Sequence, residues 1–169
     1  AHICYTPRVF ASVFSIGTMQ PPVGDVYGFG GQTPACMVIW GSNVTHNGGA
    51  QGTCGGMVKR ALKTAQKVIV IDPRRTGPAK EADLWLQLRP GTDGALALAM
   101  IHVIIAEDLI DHSFVDNYTE GFEALVHHVK QYTPEWAETI TRISAADIQA
   151  AARIYATTPP ASIQWGNGI

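Results

Sequence analysis

The chain has 169 residues, of which 46% are apolar and 15% charged, and its formal net charge is −2. That length fits one domain with a real core, and the apolar share excludes a disordered chain. The charge balance shows no basic stripe of the kind that nucleic acid requires, and the longest apolar run, Ala95–Ala106, is broken by His102 and falls short of the ~18 residues of a membrane span.

Residues 1–35 read as a connecting segment, part of the same domain or of a truncated neighbour. Pro7–Ile16 suits a helix with proline in its first turn. Thr18–Thr33, rich in glycine and proline, has the composition of a loop. Gly28-Phe29-Gly30-Gly31 follows no strand, so a flexible loop fits it better than a phosphate loop.

A regular alternation starts at Cys36, and residues 36–169 form the predicted domain. Cys36–Trp40 is an apolar strand, and Ala50–Gln66 a helix weakened by three glycines. Lys67–Ile71 is the second strand and Leu84–Leu88 the third. Consecutive apolar residues mark strands covered on both faces, as in a parallel sheet. Gly94–Asp108 is apolar all round and predicts a central, buried helix. Asp111 suits a cap for a helix through Tyr118, and Phe122, Leu125, Val126 and Val129 recur at helical spacing. Thr133-Pro134 starts another helix, and Ser144 to Asp147 forms a capping box for the next. Pro159-Pro160 stop that helix before a final strand. The fold class is therefore α/β: a doubly wound, mostly parallel sheet flanked by helices, Rossmann-like in organisation.

Cys4, Cys36 and Cys54 form neither a disulfide framework nor a CxxC metal motif. They fit a reducing compartment, and equally an exported protein with free thiols. The opening Ala1-His2-Ile3-Cys4 does not read as a signal peptide, which leaves localisation open. Ala161–Ile169 reads as a strand running into a glycine turn that normally leads onward, so a piece of a longer protein is expected.

Ligands of such sheets sit beyond the carboxyl ends of the strands. The first strand-end loop, Trp40-Gly41-Ser42-Asn43-Val44-Thr45-His46-Asn47, offers small residues, side-chain hydrogen-bonding groups and a helix N-terminus, which attracts phosphate. It is not a GxGxxG loop. The second, Asp72-Pro73-Arg74-Arg75-Thr76, admits two readings. Asp72 suits a ribose hydroxyl or the adjoining base, with the arginines on phosphate; or the loop is a turn whose arginines are solvated or pair with Glu81 and Asp83. The third contains Gly91-Thr92-Asp93. Asp93 either caps the buried helix or accepts two hydrogen bonds from the N1–H and N2–H₂ edge of guanine, a donor pair that adenine lacks.

Together these three loops resemble the molybdopterin oxidoreductases of the dimethyl sulfoxide reductase family. The residues that carry the resemblance are Trp40-Gly41-Ser42-Asn43, Ile71-Asp72-Pro73-Arg74-Arg75-Thr76 and Arg89-Pro90-Gly91-Thr92-Asp93-Gly94. It continues through Asp111–Val115, Tyr118–Phe122 and Tyr132–Ala137 to Trp165-Gly166-Asn167-Gly168, in order and at family-like spacing. The resemblance implies a large oxidoreductase holding molybdenum or tungsten between two molybdopterin guanine dinucleotides. It moves two electrons, often with an oxygen atom, and serves anaerobic respiration in many members. This chain is then the central domain that binds one dinucleotide, through Trp40–Asn47, Asp72–Thr76 and Gly91–Asp93. No catalytic or metal-ligating residue is assigned to it.

An iron–sulfur cluster and the metal's protein ligand (Cys, selenocysteine, Ser or Asp) are expected in an upstream part, and a further domain downstream. Partners implied are those domains, electron-transfer subunits and a small-molecule substrate. The fragment alone is expected to be inactive. Two rivals stand beside this reading: a free-standing nucleotide-binding or assembly module without catalysis, and a non-redox, hydratase-like member of the family.

Lesser signals take plainer readings. His127 and His128 point apart on a helix and chelate poorly, and His102 suits a satisfied core histidine. Trp85 and Trp136 read as packing residues, and Cys4 as a small buried one. No Ser–His–Asp or paired-carboxylate spacing is present.

Overall fold

A computed structural model describes residues 13–14, 33–43 and 55–166, the side chains of 55–58 excepted. Four strands form one sheet: β1 (Cys36–Trp40), β2 (Lys67–Ile71), β3 (Leu84–Leu86) and β4 (Ala161–Trp165). The helices are α1 (Gly55–Thr64), α2 (Gly77–Glu81), α3 (Asp93–Ala106), α4 (His112–Tyr118), α5 (Phe122–Val129), α6 (Pro134–Thr141) and α7 (Ala145–Thr157).

The strand order is β3-β2-β1-β4, and all three pairings are parallel. The chain steps outward from β1 to β3, then returns through five helices to lay β4 on the other side of β1. The order therefore reverses between β1 and β4, where Trp40 is in register with Trp165. A reversal of this kind opens a crevice at the carboxyl ends of the strands.

Period-2 alternation divides β1 between two cores. Cys36, Val38 and Trp40 pack with Leu96, Ala99 and Met100 of α3, Ala137 of α6 and Ile148 of α7. Met37 and Ile39 pack on the opposite face with Ala61 of α1 and Ala79 of α2. Helices thus cover both faces, and all five β1 residues are buried. Burying each large aliphatic side chain is worth about 1.5–3 kcal/mol. Cys36 is fully buried, and that burial, followed by the charge of Asp83, pushes its thiol pKa up to about 11.

The caps work as their residue types dictate. Asp111, Thr133 and Ser144 accept from the backbone N–H of Phe114, Trp136 and Asp147 respectively. His102 bonds through Nδ1 to the carbonyl of Val129 at 2.9 Å, as a satisfied core histidine should. Arg153 of α7 grips Glu107, the C-cap of α3, with two hydrogen bonds of 2.7 and 2.8 Å.

Two boundaries and one additional helix stand out against expectation. The third strand ends at Leu86, because Leu88 N–H turns back to the Leu86 carbonyl rather than pairing with β2. The helix α1 ends at Thr64; Gln66 N–H donates to Ala35. The short α2, with Pro78 in its first turn, carries too few residues for a visible period. The expected helix at Pro7–Ile16 lies almost wholly outside the described residues, as do Cys4 and Cys54.

Candidate functional site

Parallel strands deliver their following loops to one edge of the sheet. The three strand-end loops meet there around a cleft of about 190 Å³, lined by Gly41, Asp72, Pro73, Arg74, Leu88, Pro90, Gly91 and Asp93. Each of the three predicted segments contributes.

The first loop leaves β1 through Gly41, whose φ of +57° suits glycine. Gly41 N–H donates to the Ile71 carbonyl at 2.7 Å, and Gly166 N–H donates to the Trp40 carbonyl at 2.8 Å. The first bond ties the β1 loop to the end of β2, and the second joins the ends of β1 and β4. Ser42 is buried beside them. Val44, Thr45, His46 and Asn47 lie outside the described residues.

The second loop is organised by Asp72, whose side chain is 4% exposed. Its Oδ1 accepts from Arg74 N–H at 2.7 Å, the short-range bond that shapes an Asx turn. Its carbonyl accepts from Trp85 Nε1 at 2.9 Å, and its N–H donates to Leu86 at 3.2 Å. Asp72 thus sets the loop's shape. Arg74 Nε stands 3.8 Å from the carboxylate with a side chain 76% exposed, free to reach an anion at the cleft. Arg75 lies over the Trp85 ring at 5.7 Å. Neither arginine pairs with Glu81 or Asp83; Asp83 instead pairs with Lys67 at 3.2 Å. Trp85 is more than packing, because its N–H also fixes the Asp72 carbonyl.

In the third loop Gly91 turns at φ +80°, and Thr92 Oγ1 donates to the Arg89 carbonyl at 2.6 Å. Thr92 is the N-cap of α3, and its side chain makes no capping bond. Asp93 is the first residue of the helix, so the capping role weighed for it is not what its carboxylate does. Its Oδ1 accepts from Trp40 Nε1 at 2.7 Å, across 53 residues of sequence. A buried indole N–H has met an acidic partner, and that partner faces the cleft.

Two buried oxygens, Asn43 Oδ1 and Thr76 Oγ1, have no hydrogen-bond partner among the described residues. Buried acceptors without donors are costly, about 1–3 kcal/mol each, and are explained where a ligand completes them. At the cleft itself stand the exposed Arg74 guanidinium and the Asp93 carboxylate, groups able to take an anion and a hydrogen-bond donor respectively. Leu88 and Pro90 line the cleft and Gly166 is bonded to Trp40 beside it, although none of the three was named among the expected cofactor contacts. For Gly166 the signal was present in the glycine turn after the last strand. Among the described residues, no cluster of three His, Cys, Asp or Glu side chains is placed to hold a metal ion. No helix of the described residues is long and apolar enough to cross a membrane. A second hollow of about 360 Å³, between α1 and α2, has Val68 at the amino end of β2 in its lining, away from the strand-end loops.

Comparison with known proteins identifies the family to which the chain is similar. Residues 32–169 match the family model described as molybdopterin oxidoreductase. The chain is 47% identical over 131 residues to acetylene hydratase of Syntrophotalea acetylenica, covering 77% of the chain and 18% of that protein. It is 40% identical over 159 residues to the F420-dependent formate dehydrogenase subunit alpha of Methanocaldococcus jannaschii, covering 94% and 22%. Among solved structures, acetylene hydratase from Pelobacter acetylenicus superposes with a TM-score of 0.74 at 42% identity, over 80% of this chain and 18% of that one. The chain spans about a fifth of the length of the curated relatives it matches.

Proposed function

Because the chain belongs to the molybdopterin oxidoreductase family, whose cofactor is a molybdopterin with molybdenum or tungsten, we propose that it is the domain that grips one molybdopterin guanine dinucleotide. The observation that carries this reading is the meeting of the loops after β1, β2 and β3 at one cleft that Asp93 lines, on the β1 side of the reversal in strand order. Arg74 would hold the pyrophosphate, Asp72 would keep the loop that presents it, and Asp93 would accept from the guanine edge. Gly41, Ser42, Asn43 and Thr76, with Gly91 and Thr92, would border the ligand where bulk is excluded and donors are wanted. Trp40, Pro73 and Arg75 shape those loops, and the Val44–Asn47 segment continues the first of them.

When bound, the metal centre supplies two-electron redox or oxygen-atom transfer; the protein orients it. This chain's residues bind and align, and the parent holds the remaining machinery: a second dinucleotide, further domains, an iron–sulfur cluster, and electron-transfer subunits. A second reading has a specific observation behind it, the 47% identity to a hydratase. On that reading the same grip serves a non-redox hydration.

The experiment is to purify the complete protein that carries this chain, hydrolyse it in acid and quantify metal and released nucleotide. GMP together with molybdenum or tungsten is expected, and a protein carrying neither overturns the proposal. Redox turnover of the metal with a dye then separates oxidoreductase from hydratase.

A further inference from the structure

The Trp40 indole lies at the end of β1, 7% exposed, and its N–H donates to Asp93 Oδ1 at 2.7 Å. Trp40 is rigid here: its ring belongs to the core on the α3 side, and its strand is paired on both flanks. Asp93, by contrast, stands at the first turn of α3, partly exposed and lining the cleft. A carboxylate in that place has several rotamers open to it. The indole N–H selects one and leaves lone pairs on both oxygens, since each carboxylate oxygen accepts two bonds.

We propose that Trp40 is a positioning residue for base selectivity: it sets the rotamer of Asp93 so that both carboxylate oxygens face the N1–H and N2–H₂ edge of a guanine nucleotide. This rests on the reading of Asp93 as the guanine acceptor. Fixing the acceptor beforehand removes the cost of ordering it on binding. It also makes a base without the donor pair, once it covers the cleft, leave an oriented carboxylate unmet, which is how a polar site rejects an analogue.

The test uses the complete protein purified without cofactor, titrated with GDP, IDP and ADP, in wild type, Asp93→Asn and Trp40→Phe. IDP keeps N1–H and lacks the N2 amine. Wild type is expected to favour GDP over IDP by about tenfold or more, the scale of a hydrogen bond to a charged group. Asp93→Asn should lose that preference. Trp40→Phe keeps the ring packing and should lower the GDP/IDP ratio about fivefold or more at a native circular dichroism spectrum, because one neutral–charged bond no longer orients the acceptor. If Trp40→Phe keeps the full ratio while Asp93→Asn loses it, the positioning role is overturned and the guanine reading stands. If wild type shows no preference for GDP over ADP, the guanine reading itself fails. Should Trp40→Phe not fold, the indole N–H of Trp40 decides by NMR in the wild type. A resonance that is slow to exchange with solvent and shifts with GDP more than with ADP supports the role. One that exchanges freely, or ignores GDP, removes it.

Discussion

The backbone carbonyl of Gly41 occupies the place where a Cβ on Gly166 would fall. The two glycines end neighbouring strands, β1 and β4, and their contact brings the loops at the reversal of strand order into direct touch. Backbone meets backbone, so neither side can give way cheaply. Gly166→Ala is expected to destabilise the protein by about 1–3 kcal/mol, as overpacking does, and to reduce bound guanine nucleotide as the β1 loop is pushed out. Urea unfolding and acid-released GMP measure the two effects.

Asp72 acts through its hydrogen bond to Arg74 N–H. Asp72→Ala removes a charged acceptor from a buried position and frees the loop, with an expected loss of about 1.5–3 kcal/mol. Cofactor content should fall further than stability alone explains, because Arg74 would no longer be presented at the cleft. Chemical denaturation of the apo protein, paired with metal content of the holo protein, checks this; unchanged metal content would refute it.

The Asp83 carboxyl lies below its ordinary value of 3.8. Burial works to raise it, and is outweighed by the hydrogen bonds from Val68 N–H and Lys67 and by the Lys67 charge. A lowered folded pKa means stability that is present above 3.8 and lost as pH falls through the folded value. Asp83→Asn should therefore be less stable than wild type near neutral pH, and the gap should close only below the ordinary value. A gap constant down to the acid limb would show that Asp83 matters as a hydrogen-bond acceptor alone.

Cys36 is fully buried, with its thiol pushed up to about 11. The thiolate is the reactive species, so Cys36 should resist maleimide in the folded protein at neutral pH and react once urea unfolds it. Peptide mapping by mass spectrometry reads this at Cys36 separately from Cys4 and Cys54. Rapid native labelling would contradict the packing of β1.

Much of the architecture was legible because local physics writes it into the sequence. Unbroken apolar runs at Cys36–Trp40 and Lys67–Ile71 mean burial on two faces, and Asp111, Thr133 and Ser144 announce helix starts by their own side-chain chemistry. The five-residue α2 was not legible, being shorter than the window in which a helical period shows. Nor was the early end of β3, since Leu88 is as apolar as a strand residue and leaves the ladder only because the loop turns back.

For the site, the sequence by itself determined which residue types stand at the strand ends: carboxylates, arginines and glycines on loops whose backbone is free to meet a ligand. Their partners were decided by the tertiary structure. The sequence left Asp93 open both to capping a helix, the reading its loop alone favoured, and to taking a base, because either role asks only for an acceptor near free N–H groups. The indole of Trp40, brought 53 positions back along the chain by the parallel sheet, gives that acceptor its partner and direction. Arg75 was placed over Trp85 in the same way, whereas Arg74 stands beside Asp72 through the short-range bond of the Asx turn. Hydrogen-bond pairing between distant segments depends on where β4 and α3 pack against β1, and no local pattern of residues encodes that.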